Sequence, residues 1–217
     1  MIVVAGAGGS LGPYVARRLA ADGHELALID AHPARLQGLP GQHHAVDLLD
    51  EGATRDFAAS LDGVTGVLHL VGGWRGGTPL PEAPLEDWAL LHDLLIRTVQ
   101  HTTRAFAPAL KAAEERGRFV LVSARQAQAP TSSNAAYAAA KAAAEAWTLA
   151  YADELSATRG TANILVVNAI VTDEMRAASP DKAYRTFTDA SHMADAMALL
   201  LSDSAAAMNG QRLSLHG

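Results

Sequence analysis

The sequence predicts a single α/β domain over residues 1–217, built as a doubly wound parallel sheet with helices on both faces. Three observations carry that expectation. Apolar runs of strand length alternate with longer helical patterns, the signature of βα units repeated around a parallel sheet. The strand-like runs carry apolar residues on both sides, which fits a sheet covered on both faces. The length, 217 residues, suits one domain and is enough to bury a full core without disulfides or metals.

The elements follow in order. Ile2–Ala5 is the first strand; it runs into a glycine-rich turn, Gly6-Ala7-Gly8-Gly9-Ser10-Leu11-Gly12, and a helical pattern over Leu11–Asp22. Glu25–Ile29 reads as the second strand, with Asp30 at its end. Gly66–Leu70 is a strand leading into the turn-rich segment Val71–Pro84. A long helical pattern covers Leu85–Glu115, followed by a strand at Phe119–Val122 and a helix at Asn134–Ser156. The alanine-rich face of that helix, Ala135–Ala146, allows close packing on the sheet or on another subunit. Asn163–Val167 is a strand, polar Met175–Thr188 a loop that would act as a lid, Ala190–Ser202 a helix and Arg212–Leu215 the closing strand.

Composition narrows the function. Hydrophobic residues make up 49% and charged ones 18%, an ordinary globular balance, and the net charge is −6 without any cluster of Lys and Arg, so no nucleic-acid partner is expected. The absence of cysteine excludes disulfides, thiolate metal sites and a Cys nucleophile. No apolar run reaches the roughly 18 residues of a membrane span, and the chain starts on a strand without a basic, cleavable leader, so a cytoplasmic protein with no membrane partner is expected. The nine histidines do not form a metal set at ligand spacing: His43 and His44 are adjacent and point apart, and His92 and His101 lack a completing carboxylate. His69, on the strand before the loop, reads as a satisfied strand histidine or a contact on the adenosine side.

Two constellations carry chemistry. The glycine-rich turn sits between a strand and a helix, where glycines permit a tight turn and let backbone approach a pyrophosphate, while the helix N-terminus offers free N–H groups and partial positive charge. That is a Rossmann-type dinucleotide site, and it nominates Gly6, Gly9, Ser10, Leu11 and Gly12. Asp30 stands where an acid would bind the adenosine ribose hydroxyls and repel a 2′-phosphate, or else cap the next helix. With Ala31 and His32 following it and no Lys or Arg in the turn before Ser10, NAD is the expected cofactor, NADH preferred over NADPH. Asp47 and Leu48 are expected near the adenine. Further on, Tyr137 and Lys141 form a Y-x-x-x-K pair whose spacing puts both on one helix face, so the ammonium is expected to lower the phenol toward working pH and make it an acid–base group.

With these residues in place, the chain resembles the short-chain dehydrogenase/reductase family over nearly its whole length. The resemblance implies that Val71, Gly72 and Gly73 lie against the cofactor, that Ile170 and Thr172 bind its nicotinamide end, that Tyr137 and Lys141 are catalytic, and that the long helices Leu85–Glu115 and Asn134–Ser156 pair subunits into a homodimer or homotetramer. Two departures stand out: the family's catalytic serine position holds Ala124, with Ser123 one place earlier and pointing away, and its proton-relay asparagine position holds Leu95. Dihydropteridine reductases are similar in having the Tyr and Lys without the serine, and in a G-G-W-x-G-G segment, here Gly72–Gly77. That likeness places Trp74, Ala124, Arg125 and Met175 at a small-molecule substrate and implies an NADH-dependent reductase for a conjugated, pterin- or quinone-like compound. Arg75 and Arg176 read as solvated or as contacts to a polar substrate edge. The alternatives are an ordinary carbonyl reductase in which Ser132 or Ser133 replaces the serine, and a catalytically weak NAD(H)-binding sensor or scaffold.

Overall fold

Strands with apolar residues on both faces dictate the architecture. The structure, a computed structural model, describes residues 1–215; the last two residues of the expected 1–217 domain lie outside the described residues. Strands β1 (Ile2–Ala5), β2 (Leu26–Asp30), β3 (Gln42–Ala45), β4 (Gly66–His69), β5 (Arg118–Ala124), β6 (Thr161–Val167) and β9 (Arg212–Ser214) form a seven-stranded sheet in the order β3-β2-β1-β4-β5-β6-β9, with every pairing parallel. A separate two-stranded ladder joins β7 (Ile170–Val171) to β8 (Thr188–Asp189). The helices are α1 (Gly12–Ala21), α2 (Glu51–Ala59), α3 (Glu86–His92), α4 (Thr98–Ala112), α5 (Ala135–Ser156), α6 (Asp173–Ala178) and α7 (Ala190–Leu201).

The two-residue period of the strands divides the core into two layers. Ile2 and Val4 of β1, Leu26 and Leu28 of β2, and Leu165 and Val167 of β6 pack with Val15 and Leu19 of α1 and Met193 and Met197 of α7. Val3 and Ala5, Ala27 and Ile29, and Ile164 and Val166 face the other way, onto Ala58 of α2, Val99, Phe106 and Leu110 of α4, and Tyr151 and Leu155 of α5. Each such aliphatic side chain contributes about 1.5–3 kcal/mol on burial, so neither face can be left open. The single α/β domain with a parallel sheet between helical layers is therefore the observed fold.

The differences from expectation have physical causes. β3 is an edge strand with largely exposed, polar residues, so it has no hydrophobic pattern to read. α2 is short and is started by Asp50, whose side chain accepts from Ala53 N at 2.9 Å. The expected helix Leu85–Glu115 is α3, a π-helical stretch Asp93–Arg97 and α4 in succession, then a 3₁₀ turn at Glu114–Arg116. The expected loop Met175–Thr188 is helical at its start, because Thr172 caps α6 by accepting from Met175 N at 3.3 Å. The remaining element ends differ by a residue or two, the usual fraying scale.

The sheet order reverses between β1 and β4: from β1 the next strand lies on one side, and β4 on the other. In open parallel sheets that switch point leaves a crevice at the carboxyl ends of the strands.

Candidate active site

A cavity of about 1000 Å³ opens at that switch point and runs along the strand ends from β3 to β6. Its middle is the turn after β1. Gly6 sits at φ +76°, and a Cβ there would lie 2.9 Å from Val71 N, so glycine lets the β4 exit loop close against the turn. Gly12 starts α1 so near the turn that a Cβ would fall 1.9 Å from Ala7 O. No acidic residue occupies the first turn of α1, which leaves its N-terminal N–H groups and dipole open to an anion. At the β2 end, Asp30 Oδ2 accepts from Gly8 N at 3.1 Å and Oδ1 from His32 N at 2.9 Å, so the carboxylate is already oriented by backbone. Asp47 is held similarly, its Oδ1 accepting from Leu49 N at 2.9 Å.

At the other end, α5 brings Tyr137 and Lys141 to the cleft wall. Lys141 is buried and its Nζ donates to Val122 O at 2.8 Å. Burial lowers it from 10.5 to about 8, partly offset by Glu145 one turn further along. Tyr137 departs from expectation: burial pushes it up to about 12, since the Lys141 ammonium is directed to the Val122 carbonyl. The phenol therefore keeps its proton. Ser123 Oγ donates to buried Glu145 Oε1 at 2.6 Å, and Arg212 Nε of β9 donates to Glu145 Oε2 at 2.6 Å. The Ser123 hydroxyl is thus turned to α5 and committed there.

Most of the nominated residues meet in this cleft. Gly6, Gly9, Ser10 and Leu11 line its middle, Asp30, Asp47 and Leu48 one end, and Val71, Gly72 and Gly73 the loop above; Trp74, Ala124, Tyr137, Lys141 and Ile170 line the other end. Gly12, Thr172, Arg125 and Met175 do not line it: Gly12 packs the helix on the turn, Thr172 caps α6, Arg125 is exposed at a 3₁₀ turn and Met175 is 37% exposed on α6. Ser132 and Ser133 are likewise outside the lining. Arg75 donates from Nη1 to Trp74 O at 2.8 Å, and Arg176 pairs with Asp189 at 2.8 Å. His69 is buried and also off the lining; its Nε2 lies 3.2 Å from Thr98 Oγ1, which donates to Leu94 O in the π-helical stretch, and burial lowers its pKa to about 3. Leu95 is a core residue, packed with Ala140 and Tyr137.

Sequence reasoning missed Arg35 and His32 at the β2 end, and Gln126, Asn168 and Phe187 at the other. Arg35 follows from no motif; it arrives through the 3₁₀ turn Pro33–Leu36 after β2. The Tyr14 hydroxyl of α1 accepts from Asp173 N at 2.8 Å and donates to Asp173 Oδ2 at 3.0 Å, joining α1 to α6. Among the described residues no group of three metal-ligating side chains gathers, and no helix is long and apolar enough to cross a membrane.

The family model described as "Enoyl-(Acyl carrier protein) reductase" matches residues 6–217. The chain belongs to the short-chain dehydrogenase/reductase family. Solved members share the fold at low identity. Sorbitol-6-phosphate 2-dehydrogenase from Erwinia amylovora is 18% identical with a TM-score of 0.89, covering 99% of this chain and 97% of its own. An NAD⁺-bound xylitol dehydrogenase is 21% identical with a TM-score of 0.87, covering 100% and 97%. An NADPH-bound short-chain oxidoreductase from Pseudomonas aeruginosa, described as containing an atypical catalytic center, is 20% identical with a TM-score of 0.86, covering 98% and 94%. As a family member the protein is an NAD(P)-dependent oxidoreductase. Its own residues fit such a cofactor: the volume is ample for a dinucleotide, the glycine turn leaves room beside a helix N-terminus, and polar groups stand at both ends.

Proposed function

We propose that the protein is an NADH-preferring reductase of a small conjugated substrate, pterin-like or quinone-like. The observation that carries this reading is the wall around Ala124. The nearest serine, Ser123, is bonded to Glu145, and Ser132 and Ser133 lie off the cleft, so Tyr137 is the hydroxyl left to meet the reacting end of the substrate. Losing one donor at a localised oxyanion typically costs about 10²–10³ in rate. A conjugated ring spreads the incoming charge and depends less on a second donor, while gaining from an aromatic shelf.

In this reading the bound cofactor supplies the hydride. The chain's residues do the rest. The Gly6–Gly12 turn and the α1 N-terminus hold the diphosphate, and Asp30 the adenosine ribose. Lys141 holds the nicotinamide ribose, and Tyr137, protonated, delivers a proton to the reduced substrate. Trp74, 55% exposed and resting on Gly76, where a Cβ would come within 3.1 Å of its Cζ2, offers the flat wall. The preference for NADH rests on Asp30, whose negative charge disfavours a 2′-phosphate. The exposed Leu85, Trp88 and Leu90 of the α3 segment and Trp147 of α5 support subunit pairing through these helices.

The test is NADH oxidation by the purified protein with a quinonoid dihydropterin, a quinone panel and a simple ketone panel, each repeated with NADPH. Turnover confined to conjugated compounds with NADH preferred is the expected result. Equal turnover of simple ketones would overturn the substrate reading, and equal use of NADPH the cofactor preference.

A further inference from the structure

Glu145 is a buried carboxylate to which the proposed chemistry gives no role. It lies on α5 one turn beyond Lys141 and two beyond Tyr137, so the three share one helix face. Its side chain is 2% exposed and both oxygens are engaged: Oε1 accepts from Ser123 Oγ of β5 and Oε2 from Arg212 Nε of β9, each at 2.6 Å. The neighbour of Ser123 on β5 is Val122, whose carbonyl accepts from Lys141 Nζ at 2.8 Å. One turn of α5 is thus held by two successive residues of β5, its ammonium by one and its carboxylate by the other. The groups facing Lys141 decide its charge. His69 of β4 is neutral, lowered to about 3 by burial and by the ammonium beside it, and Tyr137 keeps its proton. Burial pulls Lys141 down and Glu145 pulls it back up. Arg212, 39% exposed, is the second cation on the same carboxylate.

We infer that Glu145 is a positioning residue for the reaction: fixed by Ser123 and Arg212, it keeps Lys141 an ammonium aimed at Val122 O, and the closing strand β9 sets through Arg212 how strongly it does so. The inference rests on the reading that Lys141 holds the nicotinamide ribose, which is how the charge reaches the cofactor. Without the carboxylate, Lys141 is buried with no counter-charge and sheds its proton at lower pH. Without Arg212, the carboxylate acts on Lys141 alone, and the proton is held to higher pH. Opposite shifts from the two ends of one ion pair mark this role. A carboxylate that merely braces α5 against the sheet gives no such pair of shifts.

The experiment reads the Lys141 proton directly. The lysines of the chain are Lys111, Lys141 and Lys182, so protein labelled with ¹³C at the lysine ε-carbon gives a simple NMR spectrum, in which the Lys141 signal is the one lost in Lys141→Met. Its titration midpoint is followed in the unaltered protein, Glu145→Gln and Arg212→Gln, with NADH affinity measured across the same pH range and Tm reporting the fold. Glu145→Gln is expected to lower the midpoint by about one pH unit, and Arg212→Gln to raise it. NADH is then expected to bind Glu145→Gln about threefold more weakly than the unaltered protein near pH 7.5 and equally near pH 6, a recovery that misfolding would not give. An unmoved midpoint in Glu145→Gln overturns the inference, as does a shift in the same direction in both variants. Should Glu145→Gln not fold, Arg212→Gln decides: an upward shift supports the inference, and an unmoved or lowered midpoint overturns it. Opposite shifts with NADH affinity flat in pH support the hold of Glu145 on Lys141 and overturn instead the placing of Lys141 at the nicotinamide ribose.

Discussion

Tyr137 and Lys141 share one helix face yet live under opposite pressures. Burial holds the phenol protonated to about 12 and loosens the proton on the ammonium to about 8. For the phenol, the expected outcome of Tyr137→Phe is a loss of turnover of about 10²–10⁴-fold, with NADH affinity unchanged in a fluorescence titration. A pure binding protein would show no change in either. For the ammonium, NADH affinity is expected to weaken as pH rises through about 8, and Lys141→Met to make the Kd both weaker and flat with pH. The stability sign runs the other way. A base lowered from 10.5 to about 8 in the fold burdens it fully below about 8, and the burden is gone above 10.5, so this group's contribution grows more favourable across that window. Lys141→Met is therefore expected to raise Tm at pH 7 while impairing cofactor binding. The pairing of Tyr137 with Lys141 was legible from spacing alone, but the direction of the tyrosine shift was not. It depends on where the ammonium points, and the Val122 carbonyl that attracts it belongs to another element.

Among elements, the β1 turn and α1 are a single packed unit. Gly12 leaves no room for a methyl group against Ala7 O. Gly12→Ala is expected to destabilise by about 1–3 kcal/mol, read as a Tm lower by about 2–4 °C per kcal/mol, and to weaken NADH binding because the helix N-terminus is displaced. The strands β1, β2, β4, β5 and β6 were readable because both their faces are buried and each carries a run of apolar residues, with polar ones such as Asp30, His69, Arg118 and Thr161 mostly at the ends. β3 was not, since it is an edge strand of sequence Gln-His-His-Ala with three of its four residues exposed. The π-helical Asp93–Arg97 was invisible for a different reason. The shift of register that one extra residue imposes is masked by the dense apolar residues Leu90, Leu91, Leu94, Leu95 and Ile96, yet it leaves the Leu94 carbonyl to the Thr98 hydroxyl, and Thr98 lines the cleft.

For the whole molecule, the sheet order alone locates the cleft, while its chemistry depends on residues drawn from distant segments. Glu145 of α5 joins Ser123 of β5 and Arg212 of β9, so no short motif announces it. Gln126 and Phe187 reach the cleft from irregular segments, where no periodicity marks them. Self-association is tested by light scattering: a mass of two or four times 22.6 kDa is expected, and a mass of one chain would remove the pairing role of the α3–α5 surface.

The Tyr14–Asp173 bond bears on which parts of the cleft can open separately. With the root of α6 tied to α1 in this way, and with the diphosphate placed against α1 as proposed above, any opening over the substrate is expected further along, in residues 179–187, with α1 left in place. Substrate and product would then exchange while the dinucleotide stays seated, and the expected outcome is a compulsory sequence with NADH first on and NAD⁺ last off. In product-inhibition kinetics NAD⁺ is expected to compete with NADH and not with the substrate, and Tyr14→Phe to blur that distinction.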